Sequence, residues 1–305
     1  MADSTVATAH PSGVSVHPGA AAHPSGVSSH PGSAADPGEK EMQQRLGIKG
    51  RSMGENPEMK VEYKHNTSIQ QFVKYSFYKL DPAFRRLPKA EREQGVQEFL
   101  AIMEDLYPRG ELLRPYTLTG VRGDSDFMLW HVVPCNKDGE SPSGVERLQE
   151  VTATVLRTGL GAYLTMPYSY LAMTKRSIYT DDHHHAGSEN ERLRVEPWGA
   201  KYLFVYPFVK TRQWYLLPMA DRQRAMNEHI LVGHMYPTIK LNTSYSFGLD
   251  DQDFVVAFET DYPADFLDLV QHLRETESSV FTVRDVPIFT CVSSTVEQIV
   301  KNLGV

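Results

Sequence analysis

From residue 68 onward the apolar and polar positions follow two periods. Residues 72–78 alternate and are rich in aromatics, which predicts a strand. Residues 89–106 carry Val96, Phe99, Leu100 and Met103 at helical spacing. Residues 112–121 and 126–133 read as two strands joined by the turn Arg122-Gly123-Asp124-Ser125. A helix over 143–158 and an extended segment over 162–173 complete the order β-α-β-β-α-β. The second half repeats that order. It has a strand at 201–208 and a helix at 218–235 opened by Pro218, a favoured first-turn residue. Residues 238–247 and 253–260 form a hairpin through Gly248-Leu249-Asp250-Asp251. A helix at 262–275 with Pro263 in its first turn, a strand at 280–290 and a closing helix at 293–303 follow.

A trace of internal likeness, GDSDFMLW at 123–130 against DDQDFVVA at 250–257, points to duplication. The expected class is α+β: two ferredoxin-like β-α-β-β-α-β modules, at 68–174 and 200–305. An antiparallel sheet with helices on one face leaves its other face bare. Two such sheets cover each other, which predicts a dimeric α+β barrel with a cavity at one side.

Two stretches break the pattern. Residues 175–199 are polar and link the halves, and a connection of that length often serves as a lid or binding segment. Near the start, HPSGVSVHPGAAA at 10–22 is followed by HPSGVSSHPGSAA at 23–35. This repeat holds almost nothing large to bury, so residues 1–60 are expected to be a disordered tail.

Composition narrows the function classes. The chain has 305 residues, 41% of them hydrophobic, yet no apolar run long enough for a transmembrane helix. The first residues lack the basic and apolar regions of a secretory leader. A net charge of −7 argues against a large nucleic-acid footprint. Cys135 and Cys291 are too few for a disulfide scaffold or a four-cysteine zinc site, and reduced thiols fit a cytoplasmic protein. The 12 histidines are the unusual count. His10, His17, His23 and His30 fall in the repeat and His183, His184 and His185 in the linker. His65, His131, His229, His234 and His272 remain.

The densest candidate chemistry is in 202–259. Arg222, Met226, His229 and Gly233 share one face of the 218–235 helix. Gly233 leaves room for a flat ligand beside the imidazole. His234 is turned about 140° away and cannot enter the same pocket. On spacing alone His229 is either a packed histidine or a metal ligand. Strand alternation puts Tyr206, Phe208 and Lys210 on one face. That tyrosine is either packing or a redox group, and the lysine either an edge residue or a point charge for carboxylates. Asp181-Asp182-His183-His184-His185 reads as a solvated loop or a loose chelator. Cys291 reads as packing. Neither a Cys-x-x-Cys-His haem attachment nor a Gly-rich phosphate loop occurs.

YPFVK at 206–210, WYLLP at 214–218, Arg222, Met226, Glu228-His229, Gly233 and Tyr236 stand in one order, followed by FVVAFETD at 254–261 and LRETESS at 273–279. Together they resemble the chlorite dismutase superfamily, and within it the coproheme decarboxylases, or hydrogen-peroxide-dependent haem synthases. The detailed likeness covers about 200–290, and the first module shares mainly the element order. The resemblance implies a haem in the second module with His229 as proximal iron ligand, Tyr206 as the redox tyrosine, and Lys210 and Ser279 on propionates. The implied substrates are iron-coproporphyrin III (coprohaem) and hydrogen peroxide. Two propionates become vinyl groups, giving haem b.

By the same likeness Leu241 stands where chlorite dismutases carry a distal arginine. An apolar side chain cannot steer a chlorite-derived anion, so chlorite dismutation is not expected. Actinobacterial relatives also have an apolar residue followed by Asn-Thr, as in Asn242-Thr243 here, and take a distal histidine from the region before the tyrosine strand. One of His183, His184 or His185 is the corresponding candidate. The resemblance further implies a homo-oligomer, often a pentamer, and a contact with ferrochelatase. A haem peroxidase-like relative and a haem carrier without turnover are the alternatives.

Overall fold

The computed structural model describes residues 70–106, 111–135, 144–157, 159–179 and 193–305. The tail with its repeat, His65 and the linker histidines His183, His184 and His185 lie outside the described residues. In the first half β1 (Gln71–Leu80), α1 (Lys89–Leu106), β2 (Leu112–Thr117), β3 (Phe127–Pro134), α2 (Gly144–Arg157) and β4 (Leu164–Met173) follow one another. The second half runs β5 (Tyr202–Lys210), α3 (Arg212–Leu216), α4 (Met219–His234), β6 (Lys240–Tyr245), β7 (Phe254–Thr260), α5 (Pro263–Glu275), β8 (Thr282–Arg284), β9 (Phe289–Ser293) and α6 (Val296–Asn302).

Within the first half the strands lie in the order β4-β1-β3-β2, and within the second in the order β6-β7-β5-β9. Both are the antiparallel order of a ferredoxin-like module, and round the sheet they follow each other in the same sense, β4-β1-β3-β2-β9-β5-β7-β6. The modules join edge to edge at both sides: β4 meets β6 at Met173 and Tyr245, and β2 meets β9 at Tyr116–Ser293 and Thr117–Val292. These two seams close the eight longer strands into a barrel, which removes exposed strand edges. Its interior is packed with Tyr75, Phe77, Trp130, Val205, Ala257 and Phe289.

Three local readings change. The 280–290 strand is instead a 3-10 turn at Glu277–Phe281, the short β8, and β9. Pro287 has no N–H to give a ladder, and the two strands pair with different parts of β5. Pro218 sits at the N-cap of α4 rather than inside its first turn, because the short α3 ends just before it. The strand expected to reach residue 121 stops at Thr117, where a turn with Gly120 at φ +80° takes over.

The outer faces of the two modules are covered unequally. In the first module α1 turns Gly95, Phe99, Met103 and Leu106 inward, and α2 adds Leu148, Val151 and Val155. These close a dense cluster with Tyr78 and Phe127, to which α6 contributes Ile299 and Val300. In the second module α5 covers Phe204 and Phe258 with Phe266 and Leu269. Its companion α4 buries only Ala225 along its length. It packs on the 277–281 turn and on α5, and its half-buried Val232 reaches the Phe204–Phe258 cluster of the sheet face.

Candidate active site

Part of the second module's outer sheet face, at Leu241 of β6, is left uncovered. Register places Tyr206 opposite Val256 on β7, and Leu241 of β6 opposite Phe258. Tyr206 and Phe258 stack with ring centroids 6.0 Å apart, so Tyr206, Phe258 and Leu241 share this face. Leu241 is 46% exposed although it is apolar and in mid-strand, whereas Tyr206 is 7% exposed. The hydroxyl of Tyr206 makes no hydrogen bond to a described residue, and burial pushes its phenol well above the ordinary range, with Asp285 adding in the same direction.

Lys210 ends β5 after a bulge at Val209–Lys210, with its ammonium 5.3 Å from the Phe208 ring centroid. It is 9% exposed, yet among the described residues it has no carboxylate partner. Its ammonium donates to the Ser278 carbonyl at 2.6 Å and sits 4.8 Å from the Trp214 ring centroid. Its backbone N–H donates to Asp253 Oδ2 at 2.8 Å, and the Tyr215 hydroxyl donates to the same oxygen at 2.8 Å. Trp214 is buried because Thr211 caps α3, accepting from the Trp214 N–H at 3.2 Å.

Burial lowers the Lys210 ammonium to about 8. A lysine with a depressed folded value favours its neutral form, so stability rises with pH between about 8 and 10.5 and the charge is a burden below 8. Lys210→Met is therefore expected to stabilise the ligand-free protein at pH 7 by about 1–2 kcal/mol, once loss of the carbonyl and ring contacts is discounted. Denaturant melts at pH 7 and pH 10 check this, and the gain should shrink at the higher pH. A variant that is less stable at pH 7 would show that the ammonium is already well compensated.

His229 enters from α4. Its Nδ1 lies 3.2 Å from Ser278 Oγ, while its Nε2 has no hydrogen-bond partner among the described residues. Burial, and then the nearby Lys210 charge, lower the imidazole to about 4, so it is neutral at physiological pH. A Cβ built on Gly233, one turn on, meets nothing within 4 Å, which is the open space expected there. About two turns earlier on the same face, Arg222 has a buried Nε with no partner among the described residues. The 277–281 turn is clamped to α4: the Glu277 N–H donates to Glu228 Oε2 at 2.8 Å and Arg224 pairs with the Glu277 carboxylate.

The structure thus brings His229 and Lys210 together at Ser278, with Tyr206 and Leu241 on the adjoining face. Ser279 is directed differently: its hydroxyl donates to the Arg274 carbonyl at 2.7 Å. His131 bonds Glu111 at 2.8 Å in the first module, and His272 meets the Tyr236 hydroxyl at 2.6 Å. Cys291 is wholly buried in the barrel and serves packing. Sequence reasoning missed Ser278 and the ring of Trp214. The only signal for them was membership of the LRETESS and WYLLP stretches.

Fold and site define a two-module α+β barrel that presents a half-buried, neutral helix histidine beside a buried lysine with no carboxylate partner among the described residues. The chain belongs to the chlorite dismutase family, whose family model matches residues 92–294. A coproheme decarboxylase from Mycolicibacterium smegmatis is 28% identical over 246 residues, covering 80% of this chain and 99% of that one. A second, from Staphylococcus carnosus, is 28% identical over 220 residues, covering 67% and 83%. In fold, a mutant chlorite dismutase from Candidatus Nitrospira defluvii aligns with a TM-score of 0.67 at 23% identity, covering 77% of this chain and 96% of that one. A haem-binding protein from Thermus thermophilus aligns with a TM-score of 0.66 at 24% identity, covering 77% and 95%.

Proposed function

We propose that this protein is a coproheme decarboxylase: an oxidoreductase that binds iron-coproporphyrin III and, with hydrogen peroxide, converts two of its propionates to vinyl groups. The observation that carries the reading is the meeting at Ser278 of neutral His229 and Lys210, which has no carboxylate partner among the described residues. The names of the two curated relatives support it.

The residues fit a haem. Among the described residues no three His, Cys, Asp or Glu side chains converge on a metal, so iron at His229 would take one donor from the protein. That is the donor set of a porphyrin iron, whose ring supplies four nitrogens. Coprohaem carries four propionates, and buried Lys210 and half-buried Arg222 are placed to meet anions. Exposed Leu241 offers an apolar surface to a flat ring but no charge to an inorganic anion.

When bound, the haem iron supplies the two-electron oxidising chemistry of peroxide; the protein holds and directs it. His229 holds the iron from α4. Lys210 and Ser279 anchor propionates, Ser279 by turning its hydroxyl from Arg274 to the ligand. Tyr206 is the catalytic residue. Its phenol gives up a hydrogen atom and takes one from a propionate side chain. Each round consumes one propionate, one peroxide and one proton and yields a vinyl group, carbon dioxide and two waters. One of His183, His184 or His185 acts as distal base in this reading. The resemblance also underlies a pentameric homo-oligomer, which light scattering reads, and a cytoplasmic setting with a ferrochelatase contact. Among the described residues no helix is long and apolar enough to cross a membrane.

The test mixes the protein with ferric coprohaem, titrates hydrogen peroxide and follows product mass. Two successive losses of carbon dioxide and two hydrogens are expected. Binding with no mass loss would leave a haem carrier. A variant with all three linker histidines changed to alanine, if it turned over normally, would remove them from the mechanism.

A further inference from the structure

Three short contacts below His229 form a chain with one solution. Thr276 Oγ1 lies 2.7 Å from the Leu273 carbonyl oxygen, Thr276 Oγ1 and Ser278 Oγ are 3.2 Å apart, and Ser278 Oγ is 3.2 Å from His229 Nδ1. A carbonyl only accepts, so the single Thr276 hydroxyl proton goes to Leu273. Thr276 must then accept from Ser278, which uses the single Ser278 proton. The last contact is a hydrogen bond only if His229 Nδ1 carries a proton and donates it.

We infer that Ser278 and Thr276 are positioning residues that hold the His229 proton on Nδ1 and leave the lone pair on Nε2. The tautomer follows from the hydrogen bonds alone; its use, to aim Nε2 at iron, rests on the haem reading. A histidine that binds metal commonly donates its other N–H to a fixed acceptor, which sets ring orientation and basicity. Here that acceptor is a hydroxyl rather than a carboxylate. Ser278 is 1% and Thr276 4% exposed, so solvent does not replace a lost partner. The same Ser278 holds Lys210, but through its carbonyl, so the two functions separate by mutation.

The experiment uses the full-length ligand-free protein with nitrogen-15-labelled histidine, the His229 signal being identified by its loss in His229→Gln. Long-range proton–nitrogen NMR is expected to show an Nδ1–H imidazole in the wild type and in Ser278→Thr. Ser278→Ala should shift the larger population to Nε2–H, the form favoured by free imidazole. Thr276→Val frees the Ser278 proton to point at Nδ1 and should give a mixture. An Nε2–H wild type, or an unchanged Nδ1–H in both Ser278→Ala and Thr276→Val, overturns the inference. If Ser278→Ala fails to fold, the wild-type tautomer and Thr276→Val still decide it.

The haem-loaded ferrous protein gives the second reading. The iron–histidine stretch in resonance Raman spectra should fall in Ser278→Ala and return in Ser278→Thr. A changed tautomer with an unchanged stretch overturns the function toward iron. A wild type that holds no haem at His229 defeats the haem reading and leaves the tautomer result standing.

Discussion

His229→Ala is expected to lower coprohaem affinity by more than about 100-fold and to abolish the axial-histidine spectrum. Loss of an outer partner of a metal ligand already costs about 10–100-fold, so loss of the ligand itself should exceed that. The porphyrin keeps Lys210 and Arg222 as anchors, so residual binding should persist. Because His229 is half-buried and a Cβ at Gly233 meets nothing within 4 Å, the truncation opens a space beside Gly233 instead of collapsing a core. Added imidazole should therefore restore much of the spectrum. Visible titrations with and without imidazole check both parts, and an unchanged affinity and spectrum in the variant would remove His229 as ligand.

The same substitution changes the acid limb of stability in the ligand-free protein. The folded imidazole titrates at about 4 against an ordinary 6.5, so below pH 6.5 the unfolded chain binds the extra proton first. Wild-type stability should fall as pH drops from 6.5 toward 4, and His229→Ala should flatten part of that fall. Urea melts at pH 7 and pH 5 measure it.

Tyr206→Phe is expected to bind coprohaem as the wild type does and to lose about 10²–10⁴-fold in decarboxylation rate, the range of a positioned proton-transfer group. The phenol makes no hydrogen bond to a described residue, and the ring stack on Phe258 is kept. Removing one oxygen leaves no orphaned partner, so stability should move by no more than about 0.5 kcal/mol. A rate loss without a stability loss would place the effect in the reaction. Initial rates of mass loss at fixed peroxide, with a melt alongside, separate the two. Wild-type turnover in Tyr206→Phe would take the tyrosine out of the mechanism.

Element order was legible because each module repeats the same alternation of periods, and the strands at 71–80 and 202–210 came through almost intact. The alternation of Tyr206, Phe208 and Lys210 predicted a common face; the register carries it through Phe208, and across a bulge at Val209–Lys210 the Lys210 ammonium lies 5.3 Å from the Phe208 ring centroid. The 280–290 run misled because only part of it packs: Phe289 is wholly buried, whereas Val280 is 77% exposed and Val283 and Val286 are exposed with it. An apolar residue on the rim of an open face reads in sequence like one inside a sheet. Leu241 carries the same ambiguity, and only its exposure shows that it lines the uncovered part of the site.

By itself the sequence determined the α+β class, the duplication, and which side of each strand and helix carries the candidate residues. Periodicity encodes that much because it is a property of one element at a time. Only the tertiary structure decided that α4 rests on the 277–281 turn and that Ser278 joins Lys210 to His229. Those partners lie 68 and 49 residues from Ser278 along the chain. Their contact depends on β8 pairing with the end of β5 and on the 277–281 turn being clamped to α4. A hydrogen bond across three elements depends on how the barrel closes, and no local pattern records that closure.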